Sequence, residues 1–86
     1  MKKAFSVRTY NAMVRLNVWP HNSAEAVQIG DRMAAGEFRN VKIRGAIELY
    51  RAAGLGVYQI YYRLNGCRPV ETIREICTRC DREFYR

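Results

Sequence analysis

Apolar and polar positions alternate along this chain with two different periods. Val70, Ile73, Cys77, Cys80 and Phe84 recur at three- and four-residue spacing, which draws one apolar stripe on a helix. The opposite side carries Glu71, Arg74, Glu75, Arg79, Arg82 and Glu83, with Glu75–Arg79 and Arg79–Glu83 at the supportive i,i+4 distance. Pro69 suits the first turn of such a helix. A second helix is predicted from Ser23 or Ala24 to about Ala35. Asn22 or Ser23 can cap its start, Gly36 can stop it, and Ala26, Val27, Ile29, Met33 and Ala34 form its buried side.

Elsewhere the period is two. Ala12, Val14, Leu16 and Val18 alternate with Met13, Arg15, Asn17 and Trp19 until Pro20, the pattern of a half-buried strand. Val41, Ile43, Gly45, Ile47 and Leu49 alternate with Lys42, Arg44, Ala46 and Glu48. After a turn at Ala52-Ala53-Gly54-Leu55-Gly56, the residues Tyr58, Ile60, Tyr62 and Leu64 alternate with Gln59, Tyr61 and Arg63. The predicted order is β-α-β-β-α, an α+β fold in which two helices cover one face of a three-stranded sheet.

Eighty-six residues supply one hydrophobic core, so residues 1–86 are expected to form a single domain with a basic arm at 1–3. Apolar residues make up 49% of the chain, too many for a disordered segment. No apolar run reaches the length of a membrane span, and Met1-Lys2-Lys3 is not followed by the apolar core of a signal peptide. With an odd number of cysteines, Cys67, Cys77 and Cys80, no disulfide framework is implied, and a cytoplasmic location is expected.

Charge narrows the partner. Fifteen Lys and Arg oppose eight Asp and Glu, a net +7, and twelve of the fifteen cations are arginine, whose planar fork suits phosphate and carboxylate. From Pro69 onward Glu71, Glu75, Asp81 and Glu83 balance Arg74, Arg79, Arg82 and Arg86, so the excess belongs to residues 1–68. On the predicted sheet, the face not covered by helices would gather Arg15, Trp19, Lys42, Arg44, Tyr61 and Arg63. Cations interleaved with aromatics bind nucleic acid by pairing with phosphates and stacking on bases. These six residues are the candidate binding site for nucleic acid or for an acidic, nucleic-acid-binding protein. A small regulator or inhibitor of phage or plasmid type, anti-defence factors included, docking on a protein through Trp19 and arginines is the alternative. Self-association as a homodimer is open to either.

Residues 46–76 support a third reading. Leu49-Tyr50, Gly54, Val57, Ile60 and Leu64 resemble the helix-turn-helix of resolvases and transposases, with a recognition helix starting at Arg68. The resemblance implies an all-α fold with a C-terminal helix-turn-helix, and a DNA-binding transcriptional regulator. It departs from that family by one extra residue before Gly54, by the bulky Tyr61 and by the long Asn65–Pro69 connection.

Catalytic chemistry has little to stand on. His21 is the sole histidine, within a Pro-His-Asn-Ser loop, and no nucleophile or carboxylate is spaced to serve it. Gly54-Leu55-Gly56 lacks the further glycine and lysine of a phosphate loop. Cys77-Thr78-Arg79-Cys80 is a CxxC without a second knuckle, and both thiols fall on the apolar stripe of the last helix, where cysteine packs as a small hydrophobe. A non-enzymatic protein with no metal and no cofactor is expected.

Overall fold

The computed structural model describes residues 5–37 and 43–84, and these form five α-helices: α1 (Val7–Leu16), α2 (Ser23–Ala34), α3 (Ile43–Ala52), α4 (Val57–Arg63) and α5 (Val70–Phe84). Helices α2 and α5 lie where the 3.6-residue periodicity placed them. The three expected strands do not exist among the described residues: their segments fall in α1, α3 and α4. The α+β architecture is therefore corrected to an all-α one, the class implied by the helix-turn-helix resemblance.

Local chemistry sets the helix ends. The Ser6 hydroxyl caps α1 by accepting from the Thr9 N–H at 3.3 Å. Asn17, in the left-handed region at φ 56°, closes the helix, and the next N–H, that of Val18, returns to the Met13 carbonyl at 3.0 Å. At α2 the Asn22 side chain accepts from the Glu25 N–H, while the Glu25 carboxylate reaches back to the His21 N–H, both at 2.9 Å. Helix α3 stops at Gly54, whose φ of +95° favours glycine, and Leu55 N–H bonds the Tyr50 carbonyl at 3.1 Å. Pro69 immediately precedes α5, and its carbonyl accepts from the Ile73 N–H.

Helix α3 is the hub, packed against α2, α4 and α5. Six consecutive residues, Gly45 to Tyr50, are buried, as they must be in a helix covered on all sides. Met13 from α1, Ala26 and Met33 from α2, Ile60 from α4 and Ile73 from α5 close the core around Leu49 and Tyr50. Burial of a side chain such as Ile60 or Ile73 stabilises by about 1.5–3 kcal/mol. Cys77 and Cys80 complete the buried stripe of α5, where burial pushes the Cys80 thiol up to about 12.

Two polar nodes fix the outer helices on this hub. Glu48, buried on α3, accepts from the Ser6 N–H at 2.8 Å and from the Ser6 and Thr9 hydroxyls at 2.9 Å each, which anchors the start of α1. Asp31 on α2 accepts from the Tyr50 hydroxyl at 2.6 Å and from Arg63 through two bonds of 2.8 Å, which joins α2, α3 and α4.

Candidate nucleic-acid interface

Without a sheet, the six residues expected to share one face are distributed over separate elements. Arg15 is exposed on α1. Trp19 follows α1 and is half-buried, its ring edge-on to Phe5 at 6.0 Å and to Tyr10 at 5.5 Å. Lys42 lies outside the described residues. Arg44 stands on the first turn of α3, with its Nε 3.7 Å from the Glu48 carboxylate. Tyr61 is half-buried on α4 against Tyr62. Arg63, at the end of α4, spends its guanidinium on Asp31. Among the described residues there is no sheet to form the basic, aromatic face, and the structure gathers a different set in its place.

That set is centred on α4. Helical geometry turns Ile60 and Leu64, four residues apart, into the core. The same geometry turns Tyr58 and Tyr62 outward, 58% and 72% exposed. The strand reading had placed all four on one covered side; the i,i+4 pairing of Tyr58 with Tyr62 is the signal that separates them. Gln59 is also outward, and its side-chain oxygen accepts the Gly56 N–H at 2.7 Å, closing the start of the helix. From α5, the Arg74 guanidinium donates to the Tyr58 hydroxyl at 3.4 Å, so a cation stands at the first of the two exposed tyrosines. Arg68, on the connection between α4 and α5, is exposed and bonds the Cys67 carbonyl at 3.0 Å.

How α4 is presented follows from the turn before it. Residues 53–56 make a four-residue connection from α3, with Gly54 at positive φ, the length and residue type of a helix-turn-helix joint. The connection from α4 to α5 runs from 64 to 69, six residues, with Asn65 and Gly66 both at positive φ. The side chains Glu71, Arg74, Glu75, Thr78, Arg79 and Arg82 bound a shallow furrow along α5 alone, and its two acids dilute the positive field that a DNA-reading helix needs. The structure thus separates a presented helix, α4, from a supporting one, α5.

Arg63 is held in place electrostatically. Its hydrogen bonds, foremost, and the Tyr50 hydroxyl keep the Asp31 carboxyl below the usual carboxylate range against the opposing effect of burial. The same node raises the Tyr50 phenol, burial being the larger cause and the hydrogen bond to Asp31 the next. These shifts belong to a structural clamp that sets where α4 lies. Among the described residues no group of three His, Cys, Asp or Glu side chains is placed to hold a metal ion, and no helix is long and apolar enough to cross a membrane.

Comparison of the chain with protein-family models, curated proteins and solved structures gave no match.

Proposed function

We propose that this protein is a non-enzymatic binder of double-stranded DNA that presents α4 through an α3–turn–α4 unit. The observation that carries this reading is the pair of exposed tyrosines on a helix delivered by a short glycine-containing turn, with Arg74 bonded to the hydroxyl of Tyr58. Tyrosine suits the role because its hydroxyl bonds phosphate oxygens while its ring makes apolar contact with base edges, the thymine methyl above all. Arg74 and the exposed Arg68 provide positive charge for the phosphate backbone. Charge supports the same reading: the chain carries +7 overall, and such an excess draws DNA in before any base is read.

Fluorescence anisotropy with a labelled duplex of about 25 base pairs, titrated between about 50 and 200 mM salt, tests the proposal. The wild type is expected to bind with an affinity that falls steeply as salt rises. The Arg74→Ala variant should flatten the log–log salt slope by roughly 0.9, one phosphate contact. Tyr58→Ala/Tyr62→Ala should weaken binding by about 1–3 kcal/mol, roughly the worth of one good base contact. An absence of duplex binding at low salt, or binding indifferent to all three substitutions, refutes it. Preference for a single strand over the duplex would move the function to base stacking on the same tyrosines.

A further inference from the structure

A second outward surface, on α1, has a different chemistry. Val7, Tyr10 and Val14 lie three and four residues apart and so form one line along the helix. All three are open to solvent, at 76%, 49% and 57%, although two are aliphatic and make no polar contact to justify the exposure. Tyr10 meets the ring of Trp19 edge-on. Past Val14 the line continues into a groove of about 450 Å³ bounded by Met13, Val14, Asn17, Val18, Trp19 and His21. Aligned apolar residues running into a groove are what an amphipathic helix needs in a docking track.

Charge says what kind of helix. Arg8 and Arg15 each follow a valine of the line and are exposed, and α1 contains no acidic residue. A second copy of the chain is a poor occupant: antiparallel pairing of two α1 helices sets Arg8 against Arg15, and parallel pairing sets each arginine against itself. The segments outside the described residues do no better. Lys2, Lys3, Arg39, Lys42 and Arg86 give them five cations and no acid. We infer that the α1 face docks an acidic amphipathic helix of another protein, whose apolar residues lie along Val7, Tyr10 and Val14 and whose carboxylates meet Arg8 and Arg15. Opposite charges then choose the partner and its register, and the apolar line holds it.

The test uses the full chain and two synthetic helical peptides with the same leucine and phenylalanine spacing, one flanked by glutamates and the other by lysines. Trp19 fluorescence and amide chemical shifts report binding. The glutamate peptide is expected to bind at least about tenfold more tightly, to perturb Val7, Tyr10, Val14 and Trp19, and to lose affinity in Val14→Asp. Arg8→Glu/Arg15→Glu alters only exposed positions and should reverse the preference toward the lysine peptide. Equal affinities, no binding of either peptide, or shifts confined to other helices overturn the proposal. So does a concentration-dependent dimer abolished by Val14→Asp, which makes a second copy the occupant. Selective binding to anionic lipid vesicles overturns it in favour of a membrane surface. A loss of duplex DNA affinity greater than tenfold in Arg8→Glu/Arg15→Glu assigns the face to nucleic acid instead, while failure of α4 variants to affect DNA leaves the peptide result untouched.

Discussion

The two carboxylate nodes do the same mechanical job by opposite chemistry. Glu48 fastens α1 to the hub and Asp31 fastens α4, so each positions one of the two outward faces. Glu48 is 1% exposed and its three short bonds come from neutral donors, an amide and two hydroxyls, with Arg44 more distant at 3.7 Å. Asp31 keeps 41% of its side chain in solvent and pairs with a guanidinium that is 45% exposed. A buried carboxylate must have its donors, and they must have it, because water cannot replace either. An exposed ion pair competes with water and salt throughout. The α1 face should therefore depend on its node nearly completely, and the α4 face only in degree.

Glu48→Ala attacks this contrast most directly. It leaves the Ser6 N–H and the Ser6 and Thr9 hydroxyls without their acceptor and opens a void, for an expected loss of about 3 kcal/mol. In a domain of this size that is a fall in Tm of roughly 12–24 °C by calorimetry, with amide exchange rising first in α1. A loss under about 1 kcal/mol would mean that α1 holds its place by apolar packing alone. Gly30→Ala comes next, because a Cβ at Gly30 would sit 2.8 Å from the buried Tyr50 ring. Overpacking of this kind costs about 1–3 kcal/mol, enough to cancel the gain of up to about 1 kcal/mol that alanine normally brings to a helix interior. Denaturant midpoints decide the sign: the expected result is destabilisation, and a rise would show that the ring can move aside.

The uneven legibility of the chain has the same physical root. Helices α2 and α5 each bury one side, so their apolar residues recur at helical spacing and can be recognised without a structure. Helix α3 buries every residue from Gly45 to Tyr50, and a short run buried on all sides carries no period by which helix and strand can be told apart. In α1 the buried set Thr9, Ala12 and Met13 is helical, but the exposed Val14 supplied a false partner for Ala12 and Leu16. In α4 the β-branched and aromatic residues favour a strand locally, and the packing of Ile60 and Leu64 on the hub overrides that preference. The exposed tyrosines were hidden by the same error, since period two put them with Ile60. The role of Glu48 had no signal at all: its partners lie 39 and 42 residues away, and an acid in an apolar run resembles a solvated position until the fold closes around it.

Asp31→Asn gives the smallest effect and the finest test of the contrast. The amide oxygen can still accept from Tyr50, so the loss is mainly the Arg63 pair, about 0.5–1 kcal/mol at the exposure seen, reduced further by salt. Because Arg63 holds the folded carboxyl below its ordinary value of 3.8, the unfolded chain takes up the proton first as pH falls. The contribution is therefore complete above the ordinary value and is lost as pH drops through the folded one. Asp81, kept low by Arg51, and Glu37, kept low by Arg32, act in the same direction. Thermal melts of wild type and Asp31→Asn should differ at pH 6 and draw together in acid as pH falls from the ordinary carboxyl value through the depressed folded one, with the gap at pH 6 narrowing in about 0.5 M salt. Melts that coincide even at pH 6 and low salt would show that Asp31 works through the neutral Tyr50 bond, which asparagine keeps, and that would make the two nodes alike.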